Sequence, residues 1–323
     1  MTVRFLLVEH VADLQRKLRS MNFIGLRANI FSMKWSPTPA IILSLALVAA
    51  GNVARAEDPR IASRRASERL DFNNDLIQDG FFKIAFRAEL QIGAQTDRVR
   101  KFDEPVRIFI DNRARPDRSS RLAEIVADIR SRIKHLDIEI TQNRRAANFI
   151  VALVADRNVS FTIRSRYGNN RAREIQSALN PQCLSGIGKD QHFRIRRAEA
   201  ILPVDAGEFT FYDCAYEELL QGLGAINDDP SIPWTMFNDG VQMGFFDVYD
   251  QYLLNILYDP RVRPGMRRKD VKALMPDLLA TARAWVTRVN GLDRAATPDA
   301  SHASAEAAAL ANGHPNANRP NPE

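Results

Sequence analysis

Histidine and cysteine are both scarce in this sequence. It contains five histidines and two cysteines in 323 residues, and only His135 and His192 lie between the N-terminal apolar segment and the Ala-rich C-terminal tail. Protein zinc sites are built mainly from imidazole and thiolate ligands. Neither cysteine lies in a Cys-x-x-Cys pair or close to a histidine, so the sequence gives no support to a cysteine-based zinc site.

The sequence also lacks an apolar run long enough to span a bilayer. Residues 40–50 (AIILSLALVAA) have the length of a signal-peptide core, and Ala54-Arg55-Ala56 follows as a small-x-small cleavage site. We therefore expect residues 1–56 to be a leader that is cleaved after Ala56, and the protein to be periplasmic or secreted. A start at Met33 would give a more compact leader. The alternative is an uncleaved membrane anchor.

The net positive charge is low outside the leader. The formal charge of the whole chain is +6, but residues 1–56 carry seven basic and two acidic residues, which leaves +1 for the remainder. A near-neutral chain gives no support to nucleic-acid binding, and we expect no nucleic-acid partner. The arginines at 164, 166, 171 and 173 are expected to form a solvated face, with binding of anionic envelope polymers as the alternative.

The two cysteines, Cys183 and Cys214, are expected to form a disulfide. In an oxidising compartment an even pair that closes a loop of about 30 residues favours a covalent bond. No cysteine follows Ala56 directly, so the sequence offers no lipid-anchor attachment point.

The hydrophobic pattern predicts a single α+β domain over residues 57–289 and a disordered tail over residues 290–323. A continuous apolar run at 148–154 predicts a central strand, and Pro203 favours an edge position for the strand at 193–204. A long loop with a short helix at 171–179 is expected over 156–190. The other predicted strands are 105–110 and 136–140, and the other predicted helices are 64–90, 122–133, 209–223, 250–258 and 271–289.

Residues 217–228 (EELLQGLGAIND) have the spacing of an extended helical zinc motif without its histidines. Such a motif needs two histidines one turn apart, a glutamate beside the first as general base, and a glycine where the chain bends toward a third ligand. In this register Glu218 is the base and Gly224 is the bend. The ligand positions hold Glu217, Gln221 and Asn227.

Two later segments extend this pattern, and with them the sequence resembles the metzincins, in particular the matrixin group. In that group the zinc helix leads to a turn with a methionine under the metal, and then to a helix of the form Asp-x-x-x-Ile-Gln-x-Leu-Tyr. Here the turn reads Thr235-Met236-Phe237-Asn238, and the helix runs from Asp250 to Tyr258. The resemblance covers about residues 105–260.

This resemblance implies a metzincin-like α+β fold. The expected parts are a mixed twisted sheet with a packed helix, an active-site-type helix, a Met-turn-like loop and a C-terminal helix. The residues expected to support the site are Gly224, Asp228, Met236, Asn238, Asp250 and Tyr258.

The sequence is also similar to an exported proteobacterial family of unknown function, family 2927. Members share a Glu-Glu-Leu-x-Gln-x-Leu-Gly-x-x-Asn-Asp segment, a Phe-Asn turn, and Leu-Tyr-Asp-Pro-Arg followed by Pro-Gly-Met. These read 217–228, 237–238, 257–261 and 264–266 here. The similarity implies an envelope location and no established activity.

The ligand positions predict that zinc chemistry is lost, because one carboxylate and two carboxamides are too weak a set for catalytic zinc. Oxygen ligands from Glu217, Gln221, Asn227 and Asp228 would suit calcium or magnesium. Alternatively, the same side chains replace the metal with a hydrogen-bond network between helix and turn. The network is the preferred interpretation, so we expect no metal and no cofactor.

The functional expectation is a non-catalytic, pseudo-metalloprotease-like domain that binds a peptide or a cell-envelope component and has no membrane span after signal cleavage. The alternative is a hydrolase that uses Glu218 as general base with a non-zinc metal or with none. A purely structural envelope protein is the third hypothesis.

Overall fold

A computed structural model describes residues 57–86, 97–178 and 181–293 of the chain. The chain divides into two units, Met1–Arg55 and Ala56–Glu323, and all described residues lie in the second. The expected leader and residues 294–323 of the expected tail lie outside the described residues, so the domain boundaries stay predictions. Within the described ranges, no helix has both the length and the apolar character needed to cross a membrane.

The described part confirms the α+β class, with a five-stranded mixed sheet and seven helices. The strands are β1 (Val106–Asn112), β2 (Ile138–Ile140), β3 (Phe149–Val154), β4 (Leu184–Lys189) and β5 (Ile195–Pro203). The helices are α1 (Pro59–Ala66), α2 (Asn74–Ile84), α3 (Ser119–Arg132), α4 (Val159–Ala178), α5 (Glu208–Gly222), α6 (Val248–Tyr258) and α7 (Arg268–Asn290).

The sheet has the strand order β2-β1-β3-β5-β4, in which β4 alone is antiparallel to its neighbour. Ile108 of β1 pairs with Ile140, the last residue of β2, and also with Phe149, the first residue of β3. This stagger explains how the chain passes from β2 to β3 without a helix. β3 is buried along its whole length, and its predicted central position is confirmed.

The prediction that the strand at 193–204 lies at an edge is wrong, because β4 pairs with β5 and occupies the edge. Leu184, the first residue of β4, pairs with Ile201, so β4 does not reach Pro203. The N–H of Val204 donates to the Val154 carbonyl of β3, so the backbone nitrogen of Pro203, one residue earlier, faces the β4 side. Because β4 does not reach this position, the missing N–H of Pro203 costs no hydrogen bond in the sheet.

Two other predicted segments also need correction. The segment 156–190, predicted as a long loop with a short helix, contains β4 and the whole of α4, which is interrupted at Gly168 (φ 78°). Within the described residues, the single helix predicted at 64–90 is instead α1 and α2, and residues 87–90 lie outside the described part. Asn73 begins α2 as its N-cap by accepting the Leu76 N–H at 2.9 Å, and such a cap favours a new helix over continuation.

The helices cover both faces of the sheet. Val151 packs in one core cluster with the buried side chains of α3, α5, α6 and α7, whereas the next residue, Ala152, packs in a second cluster with α4. Successive residues of a strand point to opposite faces. Accordingly, α3 and α4 lie on opposite sides of the sheet.

Candidate functional site

Helix α5 is fixed against the sheet at its middle and at its end. The predicted disulfide between Cys183 and Cys214 is confirmed and joins α5 to the residue before β4. A Cβ atom at Gly222 would lie 2.4 Å from the ring of Phe149, so the last turn of the helix lies directly on the first residue of β3. Residues 217–221 are thereby held beside β4 and β5.

The bend after α5 requires glycine at position 224. Gly224 has a φ of +121°, and a Cβ atom there would lie 2.2 Å from the backbone oxygen of Arg100. The hydroxyl of Tyr258 in α6 donates to the carbonyl of Leu223 at 2.9 Å. Gly224 and Tyr258 therefore define the direction in which the chain leaves α5.

A hydrogen-bonded chain links β4, α5 and the following loop through Gln221. The Ser185 hydroxyl donates to Gln221 Oε1 at 3.1 Å, and Gln221 Nε2 donates to Asp228 Oδ1 at 2.9 Å. Gln221 is buried. Both ends of the carboxamide are thus satisfied by protein groups, as a structural network requires.

Three carboxylates meet beside this amide, and we call them the acidic cluster: Glu217, Asp228 and Asp239. One oxygen of each lies within 4.8 Å of one oxygen of each of the others. Glu217 and Asp228 are partly buried, whereas Asp239 is exposed. Burial raises the pKa of Glu217 well above its ordinary value, and the negative charges of Glu218 and Asp228 raise it further. The cluster therefore favours a proton or a bound cation.

Asn227 is directed differently from the other ligand-position residues. Its Nδ2 donates to the backbone oxygen of Lys83 at 3.1 Å and to that of Asp228 at 3.0 Å. The carboxamide thus connects the loop to the end of α2. The structure brings Glu217, Gln221 and Asp228 together and uses Asn227 to attach the loop beside them.

Glu218 lies on the inner side of α5, with 5% of its surface exposed. Burial raises the pKa of Tyr167, and the negative charges of Glu199 and Glu218 raise it further. The Tyr167 hydroxyl lies over β4, where a Cβ atom at Gly186 would be 2.4 Å from it. Tyr167 packs with the second core cluster, on the α4 face of the sheet. The site residue that the sequence did not predict is Asp239 of the acidic cluster.

The loop after α5 is held by Asp250 of α6. Thr235 Oγ1 donates to Asp250 Oδ1 at 2.5 Å, and the Met236 N–H donates to Asp250 Oδ2 at 2.8 Å. Asn238 stabilises the same turn by donating to the Ile232 carbonyl at 2.9 Å. Met236 is buried, so the turn lies against the core.

Asp250 is one of three buried or partly buried carboxyls near the start of α6. Burial raises the pKa of Asp250 to about 6 and the pKa of Asp247 well above its ordinary value. Glu68, which accepts the Val248 N–H at 2.5 Å, has its pKa raised to about 7 by burial. These carboxyls take up protons at higher pH than exposed carboxyls do.

The ligand atoms at the site determine which ion or group it can bind. The acidic cluster contains no histidine, and His192 is exposed in the turn between β4 and β5. Carboxylate oxygens alone suit a hard cation or a cationic side chain, and zinc prefers nitrogen and sulfur. The arrangement therefore offers negative charge beside a structural amide network.

Comparison with known proteins identifies one family. A family model described as "Protein of unknown function (DUF2927)" matches residues 74–277, a segment that begins at α2, contains all five strands and ends within α7. No curated protein and no solved structure matches the chain.

Proposed function

The chain belongs to the DUF2927 family of proteins of unknown function, and we propose that it is an exported, non-catalytic domain that binds a peptide or a cell-envelope component beside α5. The observation that carries this proposal is the Gln221 carboxamide, bonded on one side to Ser185 and on the other to Asp228. At this position the metzincin resemblance calls for a metal ligand, and here the side chain connects structural elements instead.

The order of the elements supports a metzincin-like arrangement. Strand, helix and strands precede α5; the bend at Gly224, the turn at Met236 and the helix α6 follow it in the order that the resemblance implies. We propose that this scaffold was kept while its zinc chemistry was replaced by the amide network and the acidic cluster.

The charge of the site indicates the ligand's chemistry. Glu217, Asp228 and Asp239 bring three carboxyl groups together, and that of Asp239 is exposed to solvent. Opposite charges attract most strongly where the site is partly desolvated. A lysine or arginine side chain, or an amine of an envelope component, is therefore the group that this cluster would accept.

The edge strand favours a peptide over the other candidate. β4 pairs with β5 on one side, and no strand pairs with its other side among the described residues. Ser185 of β4 bonds directly to Gln221 of α5, so this edge runs beside the acidic cluster. An extended peptide can add to such an edge through its backbone while its side chains reach neighbouring groups.

The experiment is a peptide-array binding assay with purified residues 57–323. Peptides with lysine or arginine are expected to bind, and charge-reversed peptides with glutamate at the same positions are not. Replacing Asp228 and Asp239 with asparagine should lower the affinity about tenfold, because the isosteric change removes two charges from the cluster. The control is Asp75→Asn with Asp277→Asn, two exposed carboxylates outside the cluster.

Equal binding by the variant and by its control would contradict the proposed site. Binding that ignores peptide charge would contradict the role of the cluster. Cleavage of bound peptides that disappears in Glu218→Gln would contradict the non-catalytic function.

A second candidate is a hydrolase that uses Glu218 as general base with a non-zinc metal or with none. The observation that favours it is the mutual approach of the three cluster oxygens within 4.8 Å, which suits a hard cation. A ligand that binds only the folded state raises its thermal stability. A rise in melting temperature with calcium, magnesium or manganese that is lost in Asp228→Asn, together with hydrolysis that needs Glu218, would favour this candidate.

A further inference from the structure

The parallel strands β1 and β3 are neighbours whose following helices lie on opposite faces of the sheet. β1 leads to α3, which packs with Val151 on one face, and β3 leads to α4, which packs with Ala152 on the other. The chain therefore diverges beyond the carboxyl ends of these two strands. In open sheets such a divergence leaves a crevice where ligands bind.

A cleft lies at this position. Its volume is about 540 Å³, within the range of pockets that hold small molecules. Its walls come from the segments directly after β1, β3 and β5, and we call it the carboxyl-end cleft. Its lining includes Asn112 and five charged residues: Arg113, Arg115, Asp117, Arg157 and Asp205.

The two acidic residues of the cleft are engaged in local structure. Asp117 Oδ1 accepts the Ser119 N–H at 2.9 Å and Asn112 Nδ2 at 2.7 Å, and the backbone bond from Ser119 lowers the pKa of Asp117. Asp205 Oδ1 accepts the Asp156 N–H at 2.6 Å. Because these carboxylates already serve backbone and amide donors, they neutralise the cleft's arginines only in part.

The arginines of the cleft have guanidinium N–H groups that the nearby carboxylates do not fully satisfy. Arg113 shares Asp111 with Arg144 and Arg166, so three guanidinium groups contact one carboxylate. Arg115 approaches Asp117 only to 3.9 Å, with 86% of its side chain exposed. Arg157 forms no ion pair with any of the described residues and is exposed.

We infer that the carboxyl-end cleft binds a small oxyanion-bearing molecule, either a phosphorylated or a polycarboxylated compound. Guanidinium groups present planar pairs of N–H donors that match phosphate and carboxylate oxygens. Arg115 from the end of β1 and Arg157 from the end of β3 hold the anion between them, and the remaining volume accommodates the rest of the molecule.

This site is separate from the one beside α5. The last turn of α5 packs on Phe149, the first residue of β3, whereas the cleft lies beyond Val154, the last residue of that strand. The cleft shares no residue with the acidic cluster. The oxyanion site therefore stands even if the peptide-binding proposal fails.

The test is titration calorimetry of purified residues 57–323 with pyrophosphate and, separately, with citrate, each against sodium chloride of equal ionic strength. Binding of pyrophosphate alone identifies a phosphorylated ligand, and binding of citrate alone identifies a polycarboxylate. In either case Arg115→Ala with Arg157→Ala should weaken binding at least tenfold. The control is Arg263→Ala with Lys272→Ala, which removes two exposed cations from outside the cleft.

Both replaced arginines are exposed, so the variant is expected to fold, and its melting temperature should match that of the wild type. Heat of binding that is absent for both anions would overturn the inference. Binding that is unchanged in the arginine variant, or equally weakened in the control, would overturn it as well.

Discussion

Gln221 Nε2 donates to Asp228 Oδ1 across 2.9 Å, and through this bond the last turn of α5 holds the loop that contains part of the acidic cluster. The same amide accepts from Ser185 of β4. One side chain thus orders three elements around a group of carboxylates.

Replacing Gln221 with alanine should lower the free energy of unfolding by about 1–3 kcal/mol, because partly buried acceptors and donors lose their partners. Gln221→Glu should destabilise further, since it adds a fourth carboxylate beside Glu217 and Asp228. Urea denaturation measures both effects. Calcium should restore part of the stability of Gln221→Glu by neutralising the added charge, and an alanine variant as stable as the wild type would contradict the network.

Stability should fall as the pH rises from about 4 to about 7. The pKa of Glu68 is raised to about 7 and the pKa values of Asp213 and Asp250 to about 6, in each case mainly by burial. Between the unfolded carboxyl pKa of about 4 and these values, the folded state holds more protons than the unfolded chain, so stability decreases with pH.

Carboxyls with lowered pKa act outside that window. Although burial opposes it, the hydrogen bond from Arg113 lowers the pKa of Asp111, so the stability that Asp111 contributes is lost only below about pH 4.

The free energy of unfolding, measured at pH 5 and at pH 8, gives the slope of stability against pH. Glu68→Gln keeps an oxygen for the Val248 N–H and removes the titration, so it should flatten the slope; an unchanged slope would contradict the assignment.

Gly224→Ala should be far more damaging than Gly207→Ala. Both glycines have positive φ, +121° and +112°, but only at position 224 would the new Cβ atom meet backbone, 2.2 Å from the Arg100 oxygen. Strain alone costs about 1–2 kcal/mol, and the clash adds to it at position 224. Melting temperatures of the two variants compare the effects, and equal losses would show that the contact with Arg100 is relaxed at little cost.

Removing the disulfide with Cys183→Ser and Cys214→Ser should lower the free energy of unfolding by about 3–4 kcal/mol. The bond closes a loop across a sequence separation of 31 residues, and the loss is the conformational entropy returned to the unfolded chain. Guanidinium denaturation measures it. Reductant should destabilise the wild type by a similar amount and leave the double variant unchanged; a reductant effect on the variant would point to another cause.

Local pattern predicted much of the fold. β3 is a continuous apolar run, α3 has a regular apolar stripe, and Cys183 and Cys214 had only each other as partners. In each case the physical cause of the element lies within the segment itself. Such elements can therefore be predicted from the sequence.

β4 was missed for a physical reason. Its sequence, Leu-Ser-Gly-Ile-Gly-Lys, contains two glycines and no alternation of apolar and polar residues. What makes it a strand is its pairing with β5 over Leu184–Lys189. Such pairing is a tertiary property that a local pattern does not carry.

The sequence predicted the site residues that lie within one motif and missed the one that lies outside it. Glu217, Gln221 and Asp228 lie within one motif, so their spacing predicted their proximity. Asp239 lies outside that motif, in the loop after Met236, and joins Glu217 and Asp228 in the acidic cluster. Only the folded course of this loop brings its carboxylate to α5.

Whether the α5 site cleaves the peptides that it binds can be measured on the peptides themselves. Purified residues 57–323 are incubated with the lysine- and arginine-containing peptides, and the peptides are then analysed by mass spectrometry alongside the metal content of the protein. We expect intact peptides and no stoichiometric zinc. Zinc at one equivalent, with cleavage products that vanish in Glu218→Gln, would contradict this expectation.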